Sequence, residues 1–573
     1  EGILLQNSNN QILTGNTITD APDNGIRIFK SSSNNYLSDN SIIDSGDEDI
    51  YVGGSGSQNN NRGFNNDFDT IKVQGNGEFV VLDYIGLRTI NSEGNMSGND
   101  VKATFGSDIL YASDYFGGND PVTDSDGLIP NLIAPIEIYN GSSTPTKIMT
   151  PMTVRFSDWV QTSYLDPYSS EPPVILEVVV PDLRVKNENT GEWSYLVQTA
   201  INNSGENNVI ILSNSTYYEN VIVTVEGITL QGPSPHHNNP GVIIDAQDNG
   251  CAITIMKDVS GIYILGLNII NSAQDTDFFN SSGIRVLSEN NKIKYNKVTE
   301  SYIGILLESS DYNEIYGNEI DDVDIGILVT KSNDNTINSN SVIDSDVADI
   351  QVTSLGYNIG SKNNYFTYNS GVELIEFIDS DSNSLNNQEV GTYDLENSKR
   401  ISVYQSSYDY VVCDSDSSLY LKNWININVS REDSPLSNVD IKAWDGDNII
   451  YSTDYFEGTD SKTDSQGKAP EDIELIYRTF NGSSTAIDNI TKIKIRVSDW
   501  FKTEISETDE TRVDIDFDVP VFRIINQDTA VEYNYIQRAI DNGSAGEVCI
   551  WKKCTIFLSS GTYNEPIDIT EEI

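Results

Sequence analysis

Short apolar alternations recur along the chain, each followed by a polar run. Residues 304–343 read GILLESSDYNEIYGNEIDDVDIGILVTKSNDNTINSNSVI, one phrase written twice. Its starts fall at Gly283, Gly304 and Gly326, with Asp349 standing in for the next, at intervals of 21, 22 and 23 residues; Gly2 and Gly25 lie 23 apart. The pairs Ile284/Val286, Ile305/Leu307 and Ile327/Val329 keep a period of two inside each phrase. A repeat this short is too small for helical hairpins and predicts stacked β-coils, each of about three short strands with alternate side chains pointing into one core. Ile284, Ile305 and Ile327 are expected to stack inward on successive coils. Asn291/Asn296, Asn313/Asn318, Asn335/Asn340 and, near the start, Asn35/Asn40 recur at matched places. Asparagine tolerates left-handed turns and bonds the backbone, and stacked copies form amide ladders.

These phrases resemble the right-handed parallel β-helix repeats of the NosD-like family, common in archaeal surface proteins. The stretch from YLVQTAINNSGENNVIILSNSTYYENVIVTVEGITLQG through VIIDA, CAITI and GIYILGLNIINS resembles that family's usual opening, with a helix-like segment that would cap the first coil. The resemblance covers roughly 1–97, 184–437 and 523–573. It implies a fold, not an activity, because the architecture carries lyases, adhesins and structural proteins alike.

The intervening segments differ. VKATFGSDILYASDYFGGNDPVTDSDG (101–127) matches IKAWDGDNIIYSTDYFEGTDSKTDSQG (441–467); NGSST recurs at 140 and 481, and SDW at 157 and 498. Alternating apolar strands broken by Gly, Asp, Asn and Pro predict β-sandwiches, which resemble Ig-like modules of the carboxypeptidase-regulatory type, with Trp159 and Trp500 in their cores. The expected fold is all-β: right-handed parallel β-helices alternating with Ig-like β-sandwiches in a tandem repeat of about 340 residues. Its expected parts are late coils (1–97), sandwich (98–183), complete helix (184–437), sandwich (438–522) and the first coils of another helix (523–573). The chain opens in mid-phrase, so the true N-terminus and any export signal are expected to be missing; its open ends read either as a window of a longer polypeptide or as edges whose coils another segment or subunit supplies.

Charge narrows the partners. Asp and Glu number 87 against 34 Lys and Arg, a net charge of −53 over 573 residues. Nucleic acid and anionic membrane would both be repelled, and no run of 18 apolar residues suggests a membrane span. Expected partners are copies of the chain itself, through end-to-end contacts at open coil edges, and surface glycans.

No catalytic constellation stands out, and the sequence predicts a chain without hydrolytic or lyase turnover. His236 and His237, in a turn-rich loop, lack the further ligands a copper or zinc site needs, so the family's copper association is not carried over. Asp124 and Asp126 in TDSDG start like a calcium loop, making calcium the one candidate cofactor; the copy reads TDSQG, with Gln466, and a hairpin turn explains both. Cys549 and Cys554 lie in a short insertion (CIWKKC) and form a candidate disulfide, whereas Cys251 and Cys413 read as buried thiols. Asn-x-Ser/Thr occurs at Asn95, Asn140, Asn202, Asn214, Asn280, Asn428, Asn481, Asn489 and Asn542; Asn140 and Asn481 occupy equivalent sites, which favours export and N-glycosylation. The function expected is an extracellular, cell-surface structural protein forming a filament, sheath or S-layer-type lattice. The alternative is a polysaccharide-binding or polysaccharide-degrading β-helix, for which a cleft of carboxylates and aromatic platforms along 280–400 would speak.

Overall fold

A computed structural model of the protein describes residues 1–167, 174–236, 241–274, 280–354, 360–470, 472–506, 513–522, 524–526, 531–536, 538–539 and 556–558. The chain divides into two compact units, Glu1–Val185 with Trp193–Thr199, and Lys186–Glu192 with Ala200–Ile573. Each contains a parallel β-helix that runs into a two-layered β module.

In the second unit one wall of the coil stack is a parallel sheet through Val209–Leu212, Thr229–Gln231, Tyr263–Leu265, Lys292–Lys294, Glu314–Tyr316, Thr336–Asn338, Tyr365–Thr367, Ser384–Asn386, Ile401–Tyr404 and Ser418–Arg431. Its inward column is Ile264, Ile293, Ile315, Ile337, Phe366, Leu385, Val403 and Leu421, all buried. Each such side chain contributes about 1.5–3 kcal/mol by leaving water. On another wall Ile284 pairs with Ile305 and Ile305 with Ile327, all fully buried, as the phrase period predicts. The phrase glycine is explained by crowding: a Cβ on Gly304 would lie 2.6 Å from the Gly326 carbonyl oxygen of the next coil.

The asparagines hold the corners. Asn318 Oδ1 accepts the Asn296 backbone N–H (3.0 Å) and Nδ2–H (3.0 Å), while its own Nδ2 donates to the Ile293 carbonyl (2.9 Å) and to Asn340 Oδ1 (2.9 Å). Asn313 bonds to Asn335, Asn335 to Asn364 and Asn364 to Asn383 in the same way. The left-handed residue, however, precedes each ladder asparagine: Asn290, Tyr295, Tyr312, Asp334 and Ser339 have φ of 61°, 57°, 58°, 55° and 56°. The ladder position is chosen for its buried amide, and the strained backbone falls one residue earlier, on a side chain that faces out.

Both helices end alike. Strand Gly77–Asn91 pairs in parallel with the last coil through Gln58–Phe64, is covered on its other edge by antiparallel Leu132–Asn140, and continues beside Val174–Val179 in the module. Strand Ser418–Arg431 does the same between Ile401–Tyr404, Ile473–Asn481 and Val513–Asp518. The antiparallel strand takes up backbone groups that an open coil edge would expose. In each module a second sheet completes the layer, Asp100–Phe105 and Thr150–Phe156 at the centre of one, Asp440–Asp445 and Thr491–Val497 of the other. Trp159 sits in the core of the first module, as expected; Trp500, at the equivalent place on the edge strand of the second module's sheet, is only half-buried.

Replacing Asn318 by Ala deletes four buried hydrogen bonds and strands a carbonyl and two N–H groups. The expected cost is about 2–4 kcal/mol, read as a lower urea midpoint for the full chain, whereas Asn338→Ala, on the outward face, should stay within about 0.5 kcal/mol.

Candidate functional site

The coils change length along the second stack. Thr336 pairs with Tyr365 after 29 residues, Tyr365 with Ser384 after 19, Ser384 with Ser402 after 18. In the wide coils a single strand such as Glu319–Thr330 or Ser341–Thr353 spans two walls. In the next coil, Tyr365–Thr367 and Leu374–Ile378 are separated by a turn that keeps a single bridge, Ser370 to Ser341, and the continuous ladder with Ser341–Thr353 resumes only at Ile350–Ile375. The step from wide to narrow leaves a cleft of about 760 Å³, walled by Tyr368–Glu373, Asn387, Glu389–Gly391 and Ser407–Asp409. Gly371 makes the turn: its φ is +75°, and a Cβ would lie 2.4 Å from the Val342 carbonyl oxygen.

Three exposed carboxylates, Glu373, Glu389 and Asp409, come from three successive coils. The backbone under Glu373 is fixed by Asp349, whose Oδ2 accepts the amides of Glu373 (2.6 Å) and Leu374 (2.9 Å). Glu389 pairs with Ser407 and Val390 with Tyr408, which sets the third coil in register. Tyr368, with φ of 53°, stands out into solvent at 61% exposure. Tyr408 is half-buried, 6.2 Å from the Tyr393 ring and 6.3 Å from that of Phe480, and its hydroxyl accepts Arg478 Nη1–H at 3.0 Å. Carboxylates that accept hydroxyl protons beside aromatic faces suit an extended, polyhydroxylated ligand.

Asp349 occupies the place of the phrase glycine, and so does Asp49 after Gly2 and Gly25. Asp49 Oδ2 accepts the amides of Asp69 (2.8 Å) and Thr70 (3.0 Å). Their environments diverge. Burial pushes Asp349 above the ordinary value near 3.8, against the pull of its amide donors. Burial acts the same way on Asp49, but hydrogen bonds from Ser45, Asp69 and Thr70 outweigh it and hold that carboxyl low.

The residues singled out from sequence lie elsewhere. Asp124 Oδ1 accepts the amides of Asp126 (2.9 Å) and Leu128 (2.9 Å); Asp464 serves Gln466 (2.8 Å) and Lys468 (2.9 Å) identically, so the first carboxylate of the calcium candidate ties a turn. Asn95, Asn140, Asn202, Asn214, Asn280 and Asn481 are exposed. Asn428 and Asn489 are half-buried, their Nδ2 groups donating to Asp516 (2.9 Å) and the Ile476 carbonyl (3.1 Å). Asn542, Cys549, Cys554 and His237 lie outside the described residues. Burial raises the thiols of Cys413, which is buried, and Cys251, which is half-buried rather than buried as expected. Sequence reading passed over Tyr368, Glu373, Glu389, Tyr408 and Asp409; the one signal for them was the shortening of the repeat after residue 360.

The family model described as periplasmic copper-binding protein (NosD) matches residues 1–84 and 187–374. The copper in that description finds no fitting donor set among the described residues: no three His, Cys, Asp or Glu side chains come close enough there to hold a metal ion, and His236 is exposed, edge-on to Tyr295 at 6.0 Å. No curated protein sequence matches the chain. Similar solved structures include the Azotobacter vinelandii mannuronan C-5 epimerase AlgE4 A-module (10% identity over 40% of this chain and 76% of that one, TM-score 0.26). Others are a GH87 α-1,3-glucanase catalytic domain in complex with nigerose (12%, 60% and 77%, TM-score 0.27) and pectin methylesterase from Yersinia enterocolitica (14%, 37% and 90%, TM-score 0.20). All three are enzymes by description, which overturns the expectation of a chain without turnover; at these identities none of them assigns an activity to it.

Opposite pH responses are expected of the two aspartates. Asp49 stabilises above about pH 3.8 and loses its contribution as pH falls through its depressed pKa; Asp349 favours the folded state below about 3.8 and loses that preference as pH rises through its elevated one. Chemical denaturation should therefore show Asp49→Asn costing about 1 kcal/mol at pH 7 and less at pH 3, with Asp349→Asn gaining on the native chain as pH is raised from 3 to 7. Where the model described as NosD matches it, over residues 1–84 and 187–374, the chain is built as a parallel β-helix.

Proposed function

We propose that the chain is a polysaccharide-binding β-helix protein of the cell exterior, with the cleft at the narrowing of the second coil stack as its glycan site. The observation that carries this is that Glu373, Glu389 and Asp409, from three successive coils, line one cleft beside the exposed Tyr368, with Glu373 and Asp409 in one register two coils apart. Coils about 4.8 Å apart offer a regular rail to a chain of sugar rings, and tyrosine offers a flat apolar face at little entropic cost. Exposed sequons and an acidic surface suit an exported protein. The tandem unit of about 340 residues favours a second, compatible reading: an extended surface array in which copies associate.

Native gels cast with neutral and acidic polysaccharides test the first reading. At least one polymer should retard the full chain; Tyr368→Ala should weaken that interaction about tenfold, equivalent to about 1.4 kcal/mol, and paired Glu373→Gln and Asp409→Asn changes should weaken it further. Unchanged mobility on every polymer, or variants as retarded as the native chain, would sink the reading. A reducing-end assay on the retained polymer reports whether binding leads to cleavage. Electron micrographs of the native material test the second reading, which requires filaments or lattices.

A further inference from the structure

The two modules are copies of each other, and the places where they differ are not scattered. The same strand pairs fix the correspondence: Thr104 faces Ile109 as Trp444 faces Ile449, Pro151 faces Tyr164 as Lys492 faces Ile505, and Thr153 faces Thr162 as Lys494 faces Thr503. The structural node beside them is kept. Arg155 binds Asp100 at 3.0 Å and lies 3.8 Å over the Tyr115 ring; Arg496 binds Asp440 at 3.2 Å and lies 3.5 Å over that of Tyr455. Next to this shared node, Thr104, Pro151 and Thr153 give way to Trp444, Lys492 and Lys494.

The three replacements meet at one hollow. Trp444, Lys492, Lys494 and Thr503 line a cavity of about 320 Å³ with Gly446 and Asp447. The Lys442 ammonium lies 5.1 Å from the Trp444 ring centre and that of Lys494 4.7 Å from the Phe501 ring centre. Among the described residues, Lys442, Lys492 and Lys494 have no carboxylate within ion-pair distance, although acidic residues outnumber basic ones 87 to 34 along the chain. Three neighbouring cations repel one another, and the surrounding composition offers abundant partners. Their grouping around a half-buried indole is the arrangement that an anion carried on a flat, partly apolar body would stabilise.

We infer that this hollow in the second module binds an anionic sugar residue of a polysaccharide, its carboxylate or sulfate held by Lys492 and Lys494 and its ring lying on Trp444. Thr503 and Asp447 are placed to meet ring hydroxyls. The site is separate from the cleft at Glu373 and goes beyond that proposal, since a row of carboxylates and a lysine pair select opposite charges.

Calorimetric titration of the full chain with trigalacturonate, a sulfated galactose trisaccharide and neutral galactotriose tests it. At least one anionic probe should bind, more weakly as salt is raised, and the tighter of the two identifies the anion. Lys492→Gln with Lys494→Gln, both at sheet-surface positions, should weaken binding at least tenfold, as should Trp444→Thr, which installs the first module's residue. Thr153→Ala, at the position of the first module that matches Lys494, should leave this titration unchanged. Galactotriose binding as tightly as the anionic probes, or no effect of the lysine pair, would overturn the site; so would a loss of binding in Tyr368→Ala, which would move the ligand to the cleft. Salt-sensitive self-association in sedimentation, lost with the lysine pair and unaccompanied by sugar binding, would also overturn it, making the patch a contact for the acidic face of a second copy.

Discussion

Every coil of this protein must satisfy the amides of the coil before it, and the buried asparagine side chain is the group that does so at the corners. One Oδ1 accepts two N–H groups of the preceding coil, while the Nδ2 beside it reaches a carbonyl there. Because this bonding is local to the corner, it is indifferent to how far the chain travels between corners. The ladder runs unbroken through Asn313, Asn335, Asn364 and Asn383 although the intervals are 22, 29 and 19 residues. Fixed corners with variable circumference let the stack step inward without losing its core. The cleft is a product of that freedom.

The same logic separates what could be read from the sequence from what could not. Inward columns repeat with the phrase, so Ile284, Ile305 and Ile327 were placed on one wall from spacing alone, and the asparagine columns followed. The left-handed residue was assigned one position late, because Asn is both the best left-handed residue and the best ladder residue; burial decides between the roles, and burial is invisible in a string. Glu373, Glu389 and Asp409 are 16 and 20 residues apart, intervals that match no phrase, and line one cleft only because the narrowed coils bring Glu373, Gly391 and Asp409 into one register. Abundant acid hid them further. In a chain this acidic no single carboxylate is a signal, and the expectation of a protein without catalytic turnover rested on that silence.

Duplication supplies a second kind of legibility. Asp49 and Asp349 both replace a phrase glycine and both receive two amides from the next coil, yet one is held ionised and the other is pushed toward its neutral form. The modules behave likewise: Arg155 and Arg496 keep the same aspartate and tyrosine, while the adjoining surface changes from threonine and proline to tryptophan and lysine. A shared scaffold with divergent insets is what physical packing permits, since a buried node tolerates little change and a surface beside it tolerates much.

The strand common to coil stack and module has a mechanical consequence. Ser418–Arg431 pairs with the last coil, with Ile473–Asn481 and with Val513–Asp518 along its length. Tension applied along the polypeptide would load those rows of backbone hydrogen bonds in shear, all at once, instead of peeling them one by one as a hinge between separate bodies would. The joint between helix and module is thereby a splice that resists extension, a property suited to a chain that must hold its shape under drag.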